Sequence, residues 1–149
     1  MKFTVIAVGK LKERFWTDAC AEYVKRLRPY APTTVIELPD SNPAREEEAI
    51  LHALDKRATQ AHVILLAIDG TPRSSEDLTA RLDSLALHGT NEVVFVIGGS
   101  DGVTEAVRAR AGETLSFGPI TLPHNLARVV LLEQLYRSRK ISRGEPYHK

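Results

Sequence analysis

Three short segments carry residues whose types and spacing suit chemistry on a small ligand or a nucleotide. The first, Val93-Val94-Phe95-Val96-Ile97-Gly98-Gly99-Ser100-Asp101-Gly102, is an apolar run that passes directly into a glycine-rich turn. Without side chains at Gly98 and Gly99 a ligand can approach the main chain, and in parallel sheets ligands gather at the carboxyl ends of strands. The same glycines equally suit a tight strand-to-helix turn at positive φ. The second segment, Leu115-Ser116-Phe117-Gly118-Pro119-Ile120-Thr121-Leu122-Pro123-His124, brackets apolar residues with one glycine and two prolines. An ordered loop of this kind holds its N–H and C=O groups in fixed directions, as adenine recognition without charged side chains requires; a rigid connector has the same composition. The third, Arg143-Gly144-Glu145-Pro146-Tyr147-His148-Lys149, sets a tyrosine and a histidine among basic residues. Those side chains suit stacking on a base and proton transfer, although chain ends are commonly frayed.

Other chemistries lack their residues. No Gly-Lys-Ser/Thr follows the glycine turn, which removes a Walker loop, and Gly9 stands alone after the first apolar run, which removes a dinucleotide fingerprint. Glu37, closing the second run, sits where such enzymes carry a ribose-binding acid, but without the glycines it reads as a surface residue. His52, His62 and His88 are scattered without metal-ligand spacing, so no metal site is expected. Cys20 is the single cysteine and lies among apolar neighbours, so it reads as core. One cysteine allows neither an intramolecular disulfide nor a cysteine-rich zinc site, and fits a reducing compartment. No nucleophile elbow is present, and Glu133 with Arg137, four residues on, reads as an ordinary helical ion pair.

The elements that must position these segments follow from the hydrophobic pattern. Short Val- and Ile-rich runs at 3–8, 33–38, 62–68 and 93–97, with a weaker one at 114–117, alternate with helical patterns. That order predicts an α/β fold with a mainly parallel sheet and helices on both faces, built as one domain over residues 1–149. Leu11, Phe15, Ala19, Tyr23 and Leu27 recur every four residues, giving a first helix that stops before Pro29. Asn42-Pro43 opens a second, and Glu46, Glu47 and Glu48 complement its positive end. Ser74 with Asp77 starts a third, closed by Gly89; residues 104–111 form a fourth; Pro123 begins a fifth that runs to about Ile141. The first run is too short for a signal-peptide core, so it reads as a strand, and the chain is expected in the cytoplasm with no membrane span.

Charge is polarised along the chain. Residues 1–32 carry seven Lys/Arg against three Asp/Glu, residues 33–123 seven against fourteen, and residues 124–149 six against two. Solvated helix faces account for such runs. If Arg128, Arg137, Arg139, Lys140 and Arg143 converge with the basic first helix, they supply instead a phosphate-binding face for RNA. The last helix is apolar over more than one stripe, through Leu126, Val129, Val130, Leu131, Leu132, Leu135, Tyr136 and Ile141. One face can pack on the sheet while another meets a second copy, so a homodimer is expected.

Taken together, VIAVGKLKERFW at 5–16, EYVKRLRPY at 22–30, FVIGGSDG at 95–102, SFGPITLPH, and RVVLLEQLYRSRKISRGEPYHK at the end resemble the ribosomal large-subunit RNA methyltransferase H family of the SPOUT superfamily. The resemblance covers essentially the whole chain. It implies a C-terminal trefoil knot, a homodimer, S-adenosylmethionine bound in the knot, and methylation of N3 of a pseudouridine in 23S ribosomal RNA, with the ribosome as partner. Carried over by position, the cofactor pocket includes Leu66, Gly98, Phe117, Gly118, Pro119, Ile120, Thr121 and Leu122, while His124, Arg137, Tyr147 and His148 face the RNA. His124, Tyr147 or His148 would take or relay the N3 proton. The alternative from another class is a non-catalytic nucleotide- or RNA-binding module, which composition fits equally but which has no need of the TLPH loop and the PYHK ending.

Overall fold

The computed structural model of the chain describes residues 1–57 and 59–147. Its elements alternate: β1 (Lys2–Val8), α1 (Arg14–Leu27), β2 (Thr33–Leu38), α2 (Pro43–Asp55), β3 (His62–Pro72), α3 (Ser75–Leu87), β4 (Glu92–Ile97), α4 (Glu105–Arg110), β5 (Glu113–Ser116) and α5 (His124–Ser142). The strands form one sheet in the order β2-β1-β4-β3-β5, and every neighbouring pair is parallel. β1 beyond Lys2 and all of β4 are buried, as strands covered on both faces must be, which is why they read as unbroken apolar runs.

Alternation along the strands divides the core. Phe3, Val5, Ala7 and Phe95 point to the side that carries α1, α3 and α5, while Ile6, Val8, Val94 and Val96 meet Ile50, Leu54 and Val107 of α2 and α4. Helix α5 lies between α1 and α3. At roughly 1.5–3 kcal/mol for each fully buried leucine, Leu131, Leu132 and Leu135 together rival the net stability of a whole domain, so α5 belongs to the core.

The expected caps form. Asn42 accepts from the Arg45 N–H at 2.9 Å with Pro43 in the first turn, and Ser74 and Asp77 make a reciprocal capping box. Two boundaries differ from the sequence pattern. Helix α1 begins at Arg14 because the Leu11 N–H is engaged by the Glu37 carboxylate at 3.1 Å, which fixes residues 9–13 as a turn. Strand β3 continues to Pro72 through an irregularity in which Leu66 and Thr71 both lie opposite Leu115. No described helix is long and apolar enough to cross a membrane.

Candidate active site

The register gathers the cofactor candidates at one edge of the sheet. Leu66 pairs with Leu115, and Leu65 pairs with Val96, so Leu66, the last residue of β3 before its irregularity, lies level with the carboxyl ends of β4 and β5, which Gly98 and the loop from Phe117 to Leu122 follow. This is where parallel sheets bind ligands. The loop is fixed by Ser116, whose buried hydroxyl accepts from the Gly118 N–H at 3.0 Å and donates to the Ile68 carbonyl at 2.9 Å. Gly118 stands at φ +102°, and a side chain there would project into open space. Pro119, Ile120 and Thr121 are exposed.

A cavity of about 510 Å³ opens beside this loop, within the size range of small-molecule sites. Phe117 and Gly118 line it; Leu66, Gly98 and residues 119–122 border the same edge without lining it. Leu78, Leu115 and Val130 give it an apolar wall, and Arg73, Ser74 and Ser75 bring the N-terminus of α3 to its rim. Gln134 of α5 closes it, its amide oxygen accepting from Ser75 Oγ at 2.6 Å. Arg73, Ser75, Ser116 and Gln134 are site residues that the sequence reading did not assign. The capping box directly after β3 was the one signal for the α3 end.

Of the two reasons offered by the sequence, positive φ does not hold for the first two glycines of the turn, and packing supplies another. Gly98 and Gly99 are not at positive φ; in this turn only Gly102 is, at +77°. A Cβ on Gly98 would sit 2.6 Å from the Val103 side chain, and one on Gly99 would sit 2.9 Å from Glu46 Oε1. The chain's own packing therefore excludes side chains here. Glu46 is buried and accepts from the Ser41 N–H at 2.8 Å, and its neighbour Glu47 accepts from Thr104, so the start of α2 braces this turn rather than merely balancing a helix dipole.

His124 opens α5 and lies against Gly9 at the end of β1, where a Cβ would come within 2.6 Å of the imidazole. One turn later Arg128 is 1% exposed and ion-paired to Glu37 at 2.6 Å. Glu37 is the exposed residue that the sequence suggests, and it is also the partner of this buried guanidinium. Burial raises its pKa, and the bonds from Arg128 and the Leu11 N–H outweigh that and hold it below the ordinary carboxylate value.

One expectation is corrected: the basic C-terminal cluster does not form one open phosphate-binding face. Arg128 is internal; Arg137 pairs with Glu133, Arg139 with Asp83 and Lys140 with Glu145, and Arg143 stacks on Tyr30. The Glu133–Arg137 pair is the helical one that the spacing predicts. Exposed cations remain at the start of the chain, at Lys10, Lys12, Arg14, Lys25 and Arg28.

Arg137 and Tyr147 are brought together: the guanidinium carbon lies 4.1 Å from the centre of the phenol ring, and the hydroxyl donates to Glu133 at 2.9 Å. His148 lies outside the described residues. Burial, with the Glu133 bond second, pushes the Tyr147 phenol up to about 12 from 10.0. Because the folded value is raised, the stabilisation it reports is complete below the unfolded value and is lost as pH rises through about 12. A tyrosinate absorbance titration is expected to show one of the four tyrosines titrating last. Tyr147→Phe removes that step and Glu133→Gln moves it down; an unchanged curve in both variants contradicts the contact.

Comparison with known proteins adds the following. The family model described as "Predicted SPOUT methyltransferase" matches residues 1–148. Proteins named "Ribosomal RNA large subunit methyltransferase H" align over the full length of both chains. Those from Bacillus thuringiensis subsp. konkukian (strain 97-27), Bacillus anthracis and Bacillus cereus (strain B4264) are 49%, 48% and 48% identical to this chain.

Proposed function

This chain belongs to the predicted SPOUT methyltransferase family, and from that premise we propose that it transfers the methyl group of S-adenosylmethionine to N3 of a pseudouridine in large-subunit ribosomal RNA. We infer further that it works as a knotted homodimer on the assembled ribosome in the cytoplasm. The observation that carries this reading is the cavity beside Phe117 and Gly118 at the carboxyl edge of β3 and β5. Its donor set suits the cofactor: apolar Leu78, Leu115 and Val130 for a purine, main-chain groups of Phe117 and Gly118 for its edge, and Arg73 with the α3 N-terminus for a carboxylate. Gly118 leaves the open space that such a ligand needs. Leu66 and Gly98 would extend the contact along the same strand ends.

When bound, this cofactor supplies a methyl group already activated on a sulfonium. The chain's own task is then to align the acceptor and to remove its imide proton. Tyr147 keeps its proton and donates it in a hydrogen bond to Glu133, which leaves its ring to stack on a base and its oxygen to accept a hydrogen bond. Proton removal then falls to His124 or His148, and Arg137 would hold the base or a phosphate by giving up part of its pairing with Glu133.

His124 and Arg137 lie thirteen residues apart on α5, about 20 Å along the axis, too far for one base to touch both. A two-fold axis crossing α5 near Val130 would bring Arg137 and Tyr147 of one protomer to His124 of the other. The half-buried apolar residues Leu126, Val129 and Val130 between them suit that contact. Calorimetry with S-adenosylmethionine, ATP, FMN and NAD tests the cofactor assignment. Binding of the methyl donor alone is expected; binding of ATP or FMN in its place would identify a nucleotide-binding module instead.

A further inference from the structure

We propose that Arg128 and Glu37 are a positioning pair for the reaction: they tie the first turns of α5 to the ends of β1 and β2 and so fix the His124 imidazole at the edge where the acceptor base must sit. The proposal rests on the methyl-transfer reading and deepens it.

Arg128 Nη1 donates to Glu37 Oε2 and Nη2 donates to the Gly9 carbonyl, both at 2.6 Å. The same Glu37 oxygen accepts from the Leu11 N–H, and the Gly9 N–H donates to the Leu38 carbonyl at 2.7 Å. The guanidinium thus holds the Gly9–Leu11 turn from inside. His124 precedes Arg128 by four residues on one face of α5, and both meet Gly9, Arg128 at its carbonyl and His124 at its α-carbon. No other residue type suits position 9, since φ is +106° and a Cβ would collide with the imidazole.

Stability alone is a poor reason for this arrangement. Only the guanidinium is buried while Glu37 stays exposed, so the pair recovers little of the cost of desolvating Arg128, and the best-attested use of such a charge is to specify one geometry. Arg128 Nε, moreover, is buried without a partner among the described residues, as is His124 Nδ1. A small cavity lined by Leu11, Cys20, Val24, Val35, Glu37 and Arg128 lies beneath the pair, so apolar replacements have room to pack.

The test uses the full chain and three variants: Glu37→Gln, Arg128→Lys, and the double Glu37→Leu/Arg128→Met. Histidine-selective NMR, with His124→Gln for assignment, reads the imidazole in the free protein. Calorimetry reads the S-adenosylmethionine Kd, and methylation of ribosomes reads kcat and KM. For the double variant we expect shifted His124 ring resonances, kcat lower by about 30-fold or more, and Kd and KM within about threefold of the unmodified chain. Unmoved resonances, or kcat within about threefold, would overturn the proposal. Should the double variant not fold, Arg128→Lys, which keeps the charge but loses the planar fork that bridges Glu37 and the Gly9 carbonyl, is held to the same outcomes. If the unmodified chain transfers no methyl group, the function reading fails, and the NMR comparison still decides whether the pair holds His124.

Discussion

Removal of residues 146–149 is expected to lower methyl transfer by about 10²- to 10⁴-fold, the range over which a positioned proton acceptor acts. The Kd for S-adenosylmethionine should stay within about threefold. The asymmetry follows from where the ending is anchored. Tyr147 contacts Glu133, Tyr136 and Arg137, on α5, while the cavity walls come from residues 72–78, 115–118, Val130 and Gln134. Truncation leaves the Glu133–Arg137 pair and the Gln134–Ser75 bond intact, so the wall survives. Single-turnover methylation of ribosomes beside calorimetry separates the two quantities. A truncated chain that methylates at the full rate would remove Tyr147 and His148 from the site.

Gly118→Val is expected to raise the S-adenosylmethionine Kd by about 100-fold or more, equivalent to about 2.7 kcal/mol. At φ +102° a β-branched residue is strained, and its side chain would enter the space beside Phe117. Strain and occlusion are separable. Gly89 has φ +95° and equally open surroundings, but it closes α3 at the end away from the cavity. Gly89→Val should therefore match the loss of Tm and leave the Kd unchanged. Equal Kd values for both variants, near that of the unmodified chain, would place the cofactor elsewhere.

Features set by local sequence were legible before the structure. The strands announce themselves because β1 and β4 are covered on both faces, and the starts of α2 and α3 because Asn42 and Ser74 cap within three residues. The loop from Phe117 to Leu122 was legible because a glycine and prolines leave it no regular alternative. What escaped depends on distant partners. Glu37 is the exposed acid that its type suggests, but its ion-pair partner Arg128 lies 91 residues away, where no local pattern shows it. That Gly98 and Gly99 are also required by packing escaped, because Val103 and Glu46, which a Cβ would meet, come from other segments. The basic C-terminal cluster dissolves because Asp83 and Glu145 neutralise members of it, and Asp83 lies on another helix. Gln134 joins the cavity only through the packing of α5 on α3, which no periodicity reveals.

The most direct measurement is transfer of isotope-labelled methyl from S-adenosylmethionine to ribosomes from cells lacking this protein, followed by mass mapping of the modified nucleotide. One methyl group per ribosome, on N3 of a single large-subunit pseudouridine and lost in the Gly118→Val chain, is the predicted result. Tight binding of the ribosome or of a nucleotide with no methyl group transferred would contradict it.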